Sequence, residues 1–193
     1  MQIKQIIENQ TFDEERALYN IQNTEVRNCT FAGPQDGESV LKETRQVRVD
    51  HCTFSLRYPL WHVQGYELIH SSLDELTRAP IWYSHHGLID SCDIQGIKIL
   101  RECSDTIVSN CQIQSPEFGW FCQDISIKDS EIHSEYMLLH SQHVKIDHLK
   151  FTGKYSFQYM HDLEITNSYL DTKDAFWHRI TSSLKILLSK VNI

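Results

Sequence analysis

Residues 105–132 read DTIVSNCQIQSPEFGWFCQDISIKDSEI, and one phrase is written in them twice. Val108-Ser109-Asn110-Cys111-Gln112-Ile113 returns nineteen residues later as Ile127-Lys128-Asp129-Ser130-Glu131-Ile132. Each copy has an aliphatic anchor, a polar residue two later, a small residue three later and an apolar residue five later. Outward from there, the anchor recurs as Ile7, Val26, Val49, Leu68, Ile89, Val108, Ile127, Ile146, Ile165 and Ile186, at spacings of 19, 23, 19, 21, 19, 19, 19, 19 and 21. All ten positions five beyond the anchor are apolar, from Phe12 through Phe31, Phe54 and Leu73 to Val191. A fixed period of this kind is the signature of a solenoid.

Segments such as VRVDHCTF (47–54) and ISIKDSEI (125–132) alternate in and out, then change phase at a polar residue two past the anchor. That residue is Asn9, Asn28, His51, His70, Ser91, Asn110, Asp129, His148 or Asn167. Asn and Asp tolerate the left-handed backbone that turns a strand sharply. Each unit is therefore strand, corner, strand, with no room for a helix of ten residues. The expected fold is all-β: a single-stranded right-handed parallel β-helix of about nine coils of 19–23 residues, one domain over residues 1–193, roughly 45 Å long at ~4.8 Å per coil. Leucine-rich repeats share the period but need L-x-x-L-x-L-x-x-N, and left-handed hexapeptide helices need six-residue repeats; the chain has neither. The excess residues before Val49 fall in AGPQDGES (32–39), which predicts a projecting turn.

With 18 Lys+Arg against 26 Asp+Glu, a net charge of −8 and 40% hydrophobic residues, the chain is neither disordered nor a general nucleic-acid binder. No stretch reaches the roughly 20 apolar residues of a membrane span. The start, MQIKQIIENQ, lacks a basic end followed by an apolar run, so a cytoplasmic location is expected. Cys29, Cys52, Cys92 and Cys111 fall three after their anchors, and Cys103 and Cys122 five before theirs. Both columns favour small residues, so these cysteines read as structural thiols. Stacked neighbours such as Cys92 and Cys111 would also lie within disulfide range. No metal or cofactor is called for. His62, His140 and His178 share a column but lie several coils apart; His51 and His70 occupy the corner column, where Asn does the same work elsewhere.

Polar identity becomes unusual ahead of each anchor. Seven before it come Trp61, Trp82, Arg101 and Trp120, six before it His62, Tyr83, Glu102, Phe121 and His140, and ten or eleven before it Arg78, Lys98, Glu117, Glu135 and Lys154. Trp177, His178, Lys173 and Asp174 extend these columns if the last insertion follows them. Strand alternation from the small residue five before the anchor turns the Trp column inward, with Arg101 a buried cation between rings. The alternative places the rings outside, as platforms for sugars beside a charged stripe. Glu117 and Glu135 lie on adjacent coils, roughly 5–8 Å apart, a range that overlaps glycosidase carboxylate pairs. Lys98 below and Lys154 above them equally make an acid–base ladder that neutralises itself.

Five strings, LRYPLWHV (56–63), LRECSD (100–105), SPEFGWFC (115–122), GKYSFQYMHD (153–162) and LDTKDAFWH (170–178), resemble an uncharacterised bacterial family of unknown function in the pectate-lyase-like right-handed β-helix superfamily. The resemblance implies the fold and a bacterial cytoplasmic origin, and carries over no substrate or catalytic residue. The chain departs from polygalacturonases and pectate lyases proper: the N-T-D, paired-Asp, G-H-G and R-I-K signatures and an acidic calcium cluster are missing. Similar proteins run on for further coils, whereas here HRITSSLKILLSKVNI (178–193) ends inside a coil. An uncapped coil predicts self-association through the C-terminal end.

The functional expectation is a saccharide-binding or carbohydrate-modifying protein of lyase or hydrolase type, with a saccharide as partner. Glu117, Glu135, Glu102 and Asp174 are the candidate acids or bases. Arg78, Lys98, Arg101 and Lys154 are the expected substrate clamps, and Trp61, Trp82 and Trp120 the platforms. The rival expectation is a non-enzymatic scaffold whose lateral surface meets another protein.

Overall fold

A computed structural model describes residues 1–33, 38–177 and 184–192, the last segment by its backbone. Every repeat position pairs with its successor in a parallel ladder. The anchors run Ile7↔Val26↔Val49↔Leu68↔Ile89↔Val108↔Ile127↔Ile146↔Ile165↔Ile186. The positions five later run in the same way from Phe12↔Phe31 to Leu170↔Val191. These two ladders form one continuous sheet, because the strands Gln123–Ser134, Gln142–Gly153 and His161–Thr172 pass through the corner unbroken. A second, shorter sheet on the third side of the coil joins Ile99–Arg101, Glu117–Trp120 and Tyr136–Met137. The described residues form a parallel β-solenoid of about nine turns without helix, and none of their segments is a helix long and apolar enough to cross a membrane.

The corner forms as the residue types require. The nine residues two past the anchors Ile7 to Ile165, from Asn9 (φ 56°) to Asn167 (φ 50°), are left-handed. The turn exposes the carbonyl just before it, and the small residue just after it answers. Ser71 donates to the Ile69 carbonyl at 2.7 Å, Ser130 to Lys128 at 2.8 Å, Cys92 to Asp90 at 3.2 Å and Cys111 to Ser109 at 3.0 Å. Cys103 and Cys122 do the same behind a second left-handed corner, at Glu102 and Phe121, bonding the carbonyls of Arg101 and Trp120. All six thiols are buried and unbridged. Burial pushes Cys52 up to about 12 and Cys103 well above an ordinary thiol, which keeps both protonated as donors.

Inside, like stacks on like. Phe12, Phe31 and Phe54 lie face to face at 5.1 and 4.8 Å, each burying a side chain worth about 1.5–3 kcal/mol. One residue breaks the pattern. Tyr66 is fully buried and lies beneath Gly87, its partner on the next coil, with its hydroxyl 3.4 Å from Thr106 two coils on. A Cβ on Gly87 would fall 2.1 Å from the Tyr66 ring, so only glycine fits there.

The Trp column does not point inward. Trp61, Trp82 and Trp120 are half-exposed, while Leu60, Ile81 and Leu100, eight before their anchors, fill the core. The cause is a pair of left-handed residues on either side: Leu60 and His62, Ile81 and Tyr83, Leu100 and Glu102 all have positive φ. Two consecutive side chains therefore face out where an unbroken strand would alternate. The extra residues before Ile89 form a turn at Asp74–Thr77, where the Leu76 N–H bonds Asp74 at 3.0 Å. Residues 34–37 of the projecting turn expected at 32–39, and His178, lie outside the described residues. Trp177 continues the Trp column, since the Tyr159 N–H bonds its carbonyl as His140 bonds Gln158.

Candidate functional site

The residues singled out from sequence fall on two strips of the third side. On the first, rings and a cation stack in register. Trp61 and Trp82 are 5.1 Å apart and 6° from parallel, and the Arg101 guanidinium lies 5.0 Å from the Trp82 ring, 5.5 Å from Trp120 and 5.4 Å from Phe121. The indole N–H groups bond backbone carbonyls of the next coil: Trp61 to Ala79 at 2.6 Å, Trp82 to Lys98 at 2.9 Å and Trp120 to Tyr136 at 3.1 Å. Beside them Tyr83 stacks on His62 at 4.8 Å, and His140 on Phe121 at 5.3 Å and Tyr159 at 4.4 Å. Glu102 interrupts that second stack, 3.7 Å from Arg101 Nε. A sugar stacks on an open ring face, and these faces are largely occupied by one another.

The second strip holds the remaining candidates. Glu117 opens a strand of the shorter sheet opposite Tyr136, the neighbour of Glu135. Lys154 sits 4.6 Å over the Tyr155 ring, which together with Glu135 raises its pKa. Arg78 pairs in register with Arg57 and Ile97, and Lys98 and Asp174 take left-handed corners. The fold brings Arg101 and Glu102 together and sets them on a different strip from Glu117, Glu135 and Lys154.

A more site-like arrangement lies on the outer face of the anchor ladder. Three residues before each anchor from Val26 to Ile165 the strand bulges: Asn23, Gln46, Gly65, His86, Asp105, Asp124, His143 and Asp162 all have positive φ. Such bulges re-aim side chains. Here they form a rail of acids and imidazoles over the sheet. His143 bridges two carboxylates, with Nδ1 3.1 Å from Asp124 and Nε2 3.5 Å from Asp162, while His86 Nδ1 lies 2.7 Å from Asp105. Asp124 also accepts from Gln123 at 2.9 Å. Facing this rail, one before each anchor, are Ile107, Ser126, Lys145 and Glu164. The two rails enclose a groove of about 630 Å³, and a second cavity of about 360 Å³ prolongs it past Asp105 and His86 to Gln46. The groove spans several coils in line, a shape for a chain-like ligand. Its acids accept hydrogen bonds, and an imidazole between two carboxylates can carry a proton between them.

The family model described as "Protein of unknown function (DUF3737)" matches residues 5–192. The chain belongs to this family. No curated protein sequence matches this DUF3737 chain. Among solved structures it is similar to the A-module of the mannuronan C-5 epimerase AlgE4 of Azotobacter vinelandii, at 11% identity and a TM-score of 0.29, over 90% of this chain and 64% of that module.

Proposed function

We propose that the protein binds an extended saccharide along the groove over the anchor ladder, with Asp124, His143 and Asp162 as the proton-handling group. The observation that supports this reading is the His143 bridge inside a groove continuous over several coils. The charged side chains lining the groove are mostly carboxylates, Asp105, Asp124, Asp162 and Glu164 against Lys145, so it favours ligands rich in donors: neutral or amino sugars, whose hydroxyls and ammonium groups meet acid acceptors. A polyuronate brings like charge and is disfavoured.

Binding of neutral glucan, chitosan and polyuronate oligosaccharides, measured by calorimetry, tests the reading. We expect the neutral or amino sugars to bind, and Asp124→Asn and His143→Asn each to weaken them by about tenfold, the effect of roughly 1.4 kcal/mol. An absence of binding across the panel overturns the proposal. So does binding that survives Asp124→Asn but is lost in Glu117→Ala or Lys98→Ala.

A second reading, a non-enzymatic scaffold, draws support from ion pairs that join adjacent coils elsewhere on the surface. Glu8 bonds Arg27 at 2.6 Å, Glu67 bonds Arg48 at 2.6 Å and Glu131 bonds Lys150 at 2.7 Å. Charges answered by their own neighbours hold the coils in register and leave little for a ligand.

A further inference from the structure

At three places the residue just past an anchor is an aspartate whose carboxylate brackets two coils. Asp90 accepts from Ser91 at 2.9 Å, from Asn110 at 2.8 Å and from Ser109. Asp147 accepts from Thr166 at 2.7 Å, Asn167 at 2.8 Å and His148 at 2.9 Å. In the third bracket the neighbours are different. Asp50 has Ile69 opposite it in register, so the position that supplies Ser109 or Thr166 elsewhere supplies no donor. Instead two imidazoles converge on the same oxygen: His51 Nδ1 at 2.6 Å and His70 Nδ1 at 2.9 Å from Asp50 Oδ1. Their rings lie 4.8 Å apart, held one above the other by left-handed corners at both residues.

We infer that the Asp50–His51–His70 corner binds a divalent transition metal of the zinc class. Two ring nitrogens and a carboxylate oxygen, all within 4.8 Å of one another, form a three-ligand set of the kind that holds Zn²⁺ with a water in the fourth position. Around a tetrahedral ion with bonds near 2.1 Å the ligand atoms stand about 3.4 Å apart. Reaching that from 2.6 and 2.9 Å needs the two contacts to open by about 0.8 and 0.5 Å. The side chains are exposed enough to turn: His51 is 61% and His70 47% accessible. Imidazole selects Zn²⁺, Ni²⁺ or Cu²⁺ over the hard ions Mg²⁺ and Ca²⁺. The Asp90 carboxylate, on the coil beyond His70, adds negative charge nearby.

The repeat supplies variants that keep the corner. His70→Asn installs the residue that Asn110 and Asn167 already are, and His51→Ser copies Ser91. Chelator-treated protein titrated with Zn²⁺ by calorimetry, with Mg²⁺ as the hard-ion control, should take up one Zn²⁺ per chain and show no Mg²⁺ uptake at the same concentrations. Loss of a mere outer-shell partner costs a metal site at least about tenfold in affinity. His70→Asn, with unchanged circular dichroism, should weaken zinc binding by at least that much, and His143→Asn should leave it unchanged. No uptake at millimolar Zn²⁺, uptake indifferent to His70→Asn, or uptake lost in His143→Asn instead overturns the assignment. Since the saccharide reading rests on the groove and not on this corner, the two stand or fall by different variants.

Discussion

On the third side of the rod Trp61, Trp82, Arg101 and Trp120 stand in one column, each in contact with the next. On the anchor side Asp105, Asp124, His143 and Asp162 also stand in one column, but three are acids and one is an imidazole. Stacking acts oppositely on the two. Flat rings and a flat cation gain from lying against one another, so the aromatic strip satisfies itself and becomes structure. Like charges repel, so the acids of the rail do not support one another; they rest on the backbone bulge and on neighbours such as His86, Gln123 and His143. In a stacked coil, the surface columns open to a ligand are those whose members do not suit one another.

The widest separation between the two faces is expected from Trp82→Ala and His143→Asn. The first removes a ring stacked on both sides and an indole bonded to Lys98, and should cost about 2–3 kcal/mol in urea unfolding. The second should stay within about 0.5 kcal/mol of the parent, its effect confined to ligand binding. A large loss of stability in His143→Asn would erase the distinction.

The corner between the two main ladders gives an intermediate effect. Thr166, Asn167 and His148 hold the Asp147 carboxyl down at about 2, from 3.8. A depressed carboxylate contributes stability above pH 3.8 that is lost as pH falls through about 2. The parent should lose stability over that interval faster than Asp147→Asn, which urea midpoints at successive pH values would show. Equal slopes would mean that the bracket adds nothing.

The smallest change is expected at Arg101. Its Nε is buried and has no hydrogen-bond partner among the described residues. Arg101→Met keeps a long stem between the Trp rings while removing a cation that is costly to desolvate. Its urea midpoint should correspond to a shift within about 0.5 kcal/mol. A large loss would show that the guanidinium holds the strip together.

The period and the corners were readable because they are set by side-chain chemistry. Apolar anchors stack, Asn, His and Asp accept left-handed backbone, and Cys or Ser after the corner fits a tight space. The direction of Trp61, Trp82 and Trp120 was not readable. The left-handed residues that flip them are Leu60, Ile81 and Leu100 together with His62, Tyr83 and Glu102; most of these types avoid that conformation, so only the ladder hydrogen bonds of neighbouring coils hold them there. The acidic rail did carry a signal. Asn23, Gln46, Gly65, His86, Asp105, Asp124, His143 and Asp162 at one repeat position are, Gln46 apart, the types enriched at positive φ. Alternation counted from the anchors hides this, because it treats them as ordinary strand residues.

In a solenoid each unit touches only its neighbours, so a whole unit can in principle be added or removed without disturbing the rest. Tyr66 forbids that freedom locally: it passes under Gly87 and reaches Thr106. Excising residues 87–105 would set Thr106 in the place of Gly87, with a side chain where the tyrosine ring must lie. Loss of one coil between residues 66 and 106 should therefore not be tolerated, and length variation among relatives should fall outside that span.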